Sequence, residues 1–332
     1  MNITVLGSGA WGTALSINLA QKHVVTLWGR DAAPLAQIAS AHENQRYLPG
    51  CKLPHNIRIE ANLADALRDG ELVLSVVPTN GLRGTLVELK KLHCNAPMVW
   101  ACKGFEAGTS KLPHEIVAEI YGDITCGVLS GPSFALEVAQ GKPAALTLAS
   151  TDAEFAQKIA QQLHGPRLRV YSSTDVVGVE LGGALKNVMA IAAGISDGMQ
   201  LGHNARAAMI TRGLAEISRL GAKLGGRSET FMGLTGLGDL VLTCTGDLSR
   251  NRKVGIELAK GQSLENILHD LGHVAEGVST AREAVRLAMQ HHIDMPITSA
   301  VCSVLECKAA PAAALEALDV IVGMIDSFCR DQ

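Results

Sequence analysis

An apolar run, Ile3-Thr4-Val5-Leu6, passes directly into Gly7-Ser8-Gly9-Ala10-Trp11-Gly12. A helical stretch from Ala10 to Gln21 and a second apolar run, Val24 to Trp28, follow. This order of strand, glycine turn, helix and strand restricts the fold more than any other feature of the chain. Gly7 permits a tight turn, Gly9 lets a pyrophosphate approach the backbone, and Gly12 lets the helix pack closely on the strand. The helix start adds free N–H groups and the positive end of its dipole. Gly7, Gly9 and Gly12 are therefore expected to cradle a dinucleotide's phosphates. The end of the second run reads Trp28-Gly29-Arg30-Asp31, where an acid for the ribose of NAD is usual. Arg30 suits the 2′-phosphate of NADP or stacking on adenine. The alternative is a solvated arginine beside an Asp31 that caps the next helix.

Further runs follow at Leu72–Val77, Pro97–Ala101, Cys126–Leu129, Ala144–Ala149 and Leu168–Tyr171. Continuous apolar strands separated by helical stretches predict a parallel sheet covered on both faces, a doubly wound α/β domain. After Tyr171 a polar run, Ser172-Ser173-Thr174-Asp175, is rich in helix-capping residues, and strand signals then nearly vanish. Helical patterns span Leu181–Ile195, Ala207–Leu224, Ser249–Lys260, Ser279–Gln290 and Ala312–Phe328. A chain of 332 residues exceeds one hydrophobic core. The expected division is a dinucleotide-binding domain over 1–174 and an all-helical substrate domain over 175–332.

The formal net charge of -3 offers no global field for nucleic acid or an anionic membrane. An anionic ligand must therefore be held by a local cluster. The eight cysteines show no metal or disulfide spacing and read as reduced, mostly buried thiols in a cytoplasmic protein; no metal is expected. The apolar N-terminus lacks the basic start of a signal peptide. The most apolar later stretch, Leu181 to Ile195, is interrupted by Lys186 and glycines, so no membrane span is expected.

Three further segments carry candidate chemistry. Lys103, in Trp100-Ala101-Cys102-Lys103-Gly104, lies just past a strand, where ligands of open α/β sheets sit; a surface lysine is the competing reading. Lys186 lies four residues after Gly182 and Asn187 four after Gly183. On a helix, this leaves room for a substrate beside the ammonium and makes Lys186 the candidate acid/base. Close helix packing at the glycines beside a snorkelling lysine is the other reading. In the third segment Asp239, after Gly236-Leu237-Gly238, is placed to pair with a lysine. Ser249-Arg250-Asn251 at a helix start suits a phosphate. Cys244 has no partner base in view and reads as structural.

Together these motifs resemble the bacterial NAD(P)-dependent glycerol-3-phosphate dehydrogenases, from Gly7 to about Glu306. The resemblance adds Ser130-Gly131-Pro132-Ser133-Phe134-Ala135, Leu185-Lys186-Asn187, Thr243-Cys244-Thr245 and Glu276-Gly277. It implies cofactor contacts, to NADP or NAD, from Ala10, Trp11, Arg30, Lys103, Ala135, Arg250, Val274 and Glu276. It implies contacts to a phosphorylated small-molecule substrate from Lys103, Gly131, Ser133, Lys186, Asp239, Ser249, Arg250 and Asn251. Lys186 would be the catalytic acid/base, with Lys103 and Asp239 assisting. A homodimer and a supply of glycerol 3-phosphate for phospholipid synthesis are also implied. The chain departs from the family at Ala10, where serine is common, and at Gln21-Lys22-His23-Val24, a turn one residue short and without its glycine. A reductase of β-hydroxyacids or ketopantoate is the nearest rival, against which Ser249-Arg250-Asn251 argues. A nicotinamide-binding sensor without catalysis is another, against which Lys103, Lys186 and Asp239 argue.

Overall fold

A computed structural model describes residues 1–272 and 275–313. Val274, Cys329 and most of the helix expected over 312–328 lie outside the described residues. The first part of the chain forms an eight-stranded sheet. Its strands are β1 (Asn2–Leu6), β2 (Val24–Trp28), β3 (Ile57–Glu60), β4 (Leu72–Ser75), β5 (Met98–Trp100), β6 (Cys126–Ser130), β7 (Ala144–Ala149) and β8 (Leu168–Ser173). Their order in the sheet is β3-β2-β1-β4-β5-β6-β7-β8. The chain thus winds outward from β1 to β3, then returns to place β4 on the other side of β1. A crevice opens at that switch point, beyond the carboxyl ends of β1 and β4.

Successive strand residues face opposite layers, as their pleat requires. Leu72 and Leu74 join one apolar cluster with Leu15 of helix Ala10–Leu19 and Phe155 of helix Ala153–Leu163. Val73 joins another with Leu82 and Leu86 of helix Thr79–Lys91 and Ile116 of helix Pro113–Tyr121. This is the expected doubly wound domain, with two differences. β3 is an added edge strand, and its sequence, Ile-Arg-Ile-Glu, is short and half polar. β7 runs antiparallel to β6, with β8 parallel to β7. Only the five-residue helix Ala135–Ala139 separates β6 from β7. At 1.5 Å per residue it covers roughly 8 Å, about half the length of β6, too little to carry the chain back for a parallel strand. The Gln21–Val24 turn places none of its residues at positive φ, so it functions without the expected glycine.

Helix Val176–Gly198 begins where the sheet ends. Asp175 caps it, accepting from the Gly178 N–H at 2.9 Å, and ties it to the Arg227 N–H at 2.8 Å. The helix is apolar on nearly every side, the pattern of a buried helix. Helices Gly202–Lys223, Asp239–Thr245, Arg250–Ala259, Glu276–Gln290 and Pro296–Leu305 pack around it. By length and composition it could cross a membrane, contrary to the sequence reading, but 89% of its most apolar window is enclosed by the protein's own helices. The seven cysteines among the described residues are unpaired.

Candidate active site

The glycine turn lies at the switch point. Gly7 adopts φ +118°, and its N–H donates to the Trp28 carbonyl at 2.9 Å. A Cβ there would stand 2.9 Å from the Val76 carbonyl oxygen, just past β4. Gly12 sits tight on both the turn and β1, since its Cβ would fall 1.9 Å from the Gly7 carbonyl oxygen and 3.6 Å from Val5 Cγ1. Gly9 precedes helix Ala10–Leu19, no side chain caps that helix, and a Cβ on Gly9 would meet nothing within 4 Å. Uncapped N–H groups facing open space fit a pyrophosphate. Ala10, Trp11 and Ala135 pack into one apolar cluster beside it, which places helix Ala135–Ala139 at the same crevice. Arg30 stands at the outer end of β2 with 87% of its side chain exposed, 3.7 Å from Asp31. Asp31 occupies the cap position of helix Ala32–Ala41 without a capping hydrogen bond.

The second cluster lies past β5 and β6, where the two parts of the chain meet. Asp239 is fully buried and receives two ammonium groups. Lys186 Nζ donates to its Oδ1 at 2.5 Å and Lys103 Nζ to its Oδ2 at 2.6 Å. Lys103 also donates to the Gly131 carbonyl at 3.2 Å, which the Ser133 hydroxyl reaches at 3.1 Å. Thr243, one turn after Asp239, accepts from Lys186 at 2.9 Å and donates to the Asp239 carbonyl at 2.6 Å. Sequence analysis gave Thr243 no role; the signal was its i,i+4 spacing from Asp239.

A π turn, Leu234–Gly238, aims Asp239, closing with a bond from the Gly238 N–H to the Gly233 carbonyl at 3.1 Å. Such turns recur at functional sites. Gly182 serves this turn, since a Cβ there would lie 2.3 Å from the Thr235 carbonyl oxygen. The room at Gly182 is therefore taken by backbone rather than left for a substrate. Gly183 in turn accommodates Lys103, whose Cγ and Cδ lie 3.5 Å from where its Cβ would be. Both glycines admit close packing, but Lys186 is buried on Asp239 rather than snorkelling to solvent.

Electrostatics follow from burial and sharing. Burial, with the nearby Lys103 charge, draws Lys186 down to about 8 against the opposing pull of Asp239. Burial alone would raise the Asp239 carboxyl, but Lys103 and Lys186 outweigh it and hold it below the usual carboxylate value. Glu276, at the start of helix Glu276–Gln290, is raised by burial, opposed by Lys103, Arg250 and Lys186. Burial pushes the Cys244 thiol up to about 12, so it stays protonated and inert.

The Ser249-Arg250-Asn251 segment behaves residue by residue. Ser249 caps helix Arg250–Ala259, its hydroxyl accepting from the Arg252 N–H at 3.2 Å. Asn251 is engaged on both sides of its amide, donating to Asn187 Oδ1 at 2.9 Å and accepting from the Gly277 N–H at 3.1 Å. Arg250 is exposed. The structure thus brings Lys103, Gly131, Ser133, Lys186 and Asp239 together, sets Arg250 near Glu276, and leaves Arg30 at the far end of the glycine cradle.

Two family models together match most of the chain. Residues 2–156 match the family described as NAD-dependent glycerol-3-phosphate dehydrogenase N-terminus, and residues 175–316 its C-terminus. The chain is 63% identical over 306 residues to the glycerol-3-phosphate dehydrogenase [NAD(P)+] of Nitrosomonas eutropha, covering 92% of this chain and 93% of that one. It is 60% identical over 323 residues to the protein of the same name from Nitrosospira multiformis, covering 96% and 97%. The crystal structure of glycerol-3-phosphate dehydrogenase from Coxiella burnetii superposes with a TM-score of 0.92 at 41% identity, covering 96% of this chain and 98% of that one.

Proposed function

The chain belongs to the NAD-dependent glycerol-3-phosphate dehydrogenase family, and from that premise we propose that it interconverts dihydroxyacetone phosphate and sn-glycerol 3-phosphate with Lys186 as proton donor and acceptor. The observation that carries this reading is the convergence of Lys103 and Lys186, from the two parts of the chain, on one buried carboxylate. Gly7, Gly9, Ala10, Trp11, Gly12 and Ala135 would hold NAD(P), which supplies the hydride when bound. Arg30, exposed at the end of β2, would meet a 2′-phosphate. Glu276 and Arg250 would face the cofactor from the helical side.

During ketone reduction, negative charge grows on the carbonyl oxygen. Lys103 meets that charge from a fixed position, an interaction strongest where water is excluded. Lys186 gives the oxygen its proton, and in the reverse direction neutral Lys186 takes it back. Asp239 holds both ammonium groups in place and keeps Lys186 protonated near neutral pH. Two ammonium groups on one carboxylate leave one positive charge, which suits an anionic substrate. Gly131 and Ser133 line the approach. Arg250 and the N-terminus of its helix would take the phosphate, with Asn251 and Ser249 setting that helix's position. We place the substrate domain from residue 175 and assign a cytoplasmic homodimer supplying glycerol 3-phosphate for phospholipid synthesis. The test is oxidation of NADPH or NADH by the purified protein with dihydroxyacetone phosphate. Turnover of ketopantoate instead would overturn the reading.

A further inference from the structure

The segment from Trp100 to His114 carries Lys103 and joins β5 to helix Pro113–Tyr121. It leaves the sheet, yet the turn beyond Lys103 is held by buried groups of the helical part of the chain. Glu283 of helix Glu276–Gln290, only 4% exposed, accepts from the Gly108 N–H at 2.8 Å and from the Ser110 hydroxyl at 2.7 Å. The turn it grips is closed on itself. The Glu106 N–H donates to the Lys111 carbonyl at 2.9 Å, and the Ser110 N–H to the Glu106 carbonyl at 3.1 Å. A tether at Gly108 and Ser110 is therefore passed on to Phe105, which is buried in the apolar core of the helical part, and to Lys103. Gly104, at φ +132°, lies so close to Thr280 of the same helix that a Cβ would stand 2.7 Å from its hydroxyl. At the segment's ends, buried Glu180 accepts from Trp100 Nε1 at 2.7 Å and from the His114 N–H at 3.0 Å.

The opposing ties are half-exposed ion pairs: Arg83 takes Glu106 in two bonds with its side chain 36% exposed, and Lys111, 37% exposed, pairs with Glu119 at 2.8 Å. Releasing a buried carboxylate from its donors costs more than breaking a half-solvated ion pair. The position of the segment is thus set by the helical part, which also carries Asp239. We propose that Glu283 is a positioning residue that holds Lys103 against Asp239 through the Gly108–Ser110 turn. The proposal rests on the reading of Lys103 as the group that meets the developing oxyanion.

Its test is a double-mutant cycle on the full-length enzyme, with kcat for dihydroxyacetone phosphate reduction followed against pH and the Kd for NADPH measured apart. Glu283→Ala should lower kcat at saturating NADPH about tenfold or more through misplaced Lys103. In a Lys103→Ala background, Glu283→Ala should change kcat no further. A second readout separates positioning from mere stapling. Lys186 is faced by Asp239, Thr243, Lys103 and Glu276, and Glu283 by Arg282 and Arg286. Displacing Lys103 removes a charge that depresses Lys186, so the alkaline limb of kcat should move to higher pH. Should Glu283→Ala fail to fold, Ser110→Ala, which deletes one hydroxyl, should move kcat and the limb in the same directions. Additive losses, or a limb that stays in place, would overturn the positioning role. An unchanged kcat in Lys103→Ala alone would overturn the reading of Lys103.

Discussion

The sharpest expectation concerns pH, because the two directions of the reaction need opposite forms of Lys186. Burial and Lys103 bring its ammonium to about 8 from the ordinary 10.5. A group titrating at about 8 is ~90% protonated at pH 7 and ~10% protonated at pH 9. Ketone reduction requires the protonated form, so its kcat should fall by about an order of magnitude across that interval. Alcohol oxidation requires the neutral form and should rise by the same factor. The two limbs should cross near the same pH. The substrate phosphate ionises near ~6 and so titrates below this window. The assay is initial-rate measurement of both directions at saturating substrate, so that binding does not mask the chemistry. Lys186→Ala should lower kcat by ~10²–10⁴-fold and abolish the alkaline limb of what activity remains. Asp239→Asn removes the charge that opposes burial, so its limb should move to lower pH. A reduction rate that stays flat up to the ordinary lysine value of 10.5 would refute Lys186 as the donor.

Other expectations test the rest of the site. Arg250→Ala should reduce kcat/KM for dihydroxyacetone phosphate by about one to two orders of magnitude, the worth of a charge-assisted contact. With the NADPH Kd measured separately and its change allowed for, unphosphorylated dihydroxyacetone should barely be affected, and equal proportional losses would remove Arg250 as the phosphate anchor. Arg30→Asp should shift preference from NADPH towards NADH, measured as the ratio of their specificity constants. Gly12→Ala places a methyl 1.9 Å from the Gly7 carbonyl oxygen, so calorimetric titration should show NADPH binding lost or greatly weakened. Retained affinity would mean that the turn is not the cradle.

The winding of the first half was legible because apolar strands and glycine turns are local signals. Strand direction was not: the apolar run of β7 carries no mark of polarity, and only the short path from Ser130 to Ala144 betrays its reversal. β3 escaped notice because an edge strand buries one face and keeps arginine and glutamate on the other. At the site, Lys103, Lys186 and Asp239 stood out by their glycine neighbours. What those glycines admit could not be read, because the Thr235 carbonyl that fills Gly182 arrives from a turn distant in sequence. Thr243 was in view without a role, since its importance depends on a lysine from another helix.

The enclosed helix Val176–Gly198 has a consequence for how the protein is made. Among the described residues, the helices that cover its apolar surface run to Leu305, so they leave the ribosome after it. At ~5–20 residues per second, completing that cover takes roughly 5–20 s after the helix itself is synthesised. The sheet is already complete by then, so each nascent chain passes through a stage with a finished nucleotide domain and a bare greasy rod. Ribosome-bound chains stalled before Glu276 should therefore recruit holdase chaperones that released full-length chains no longer engage.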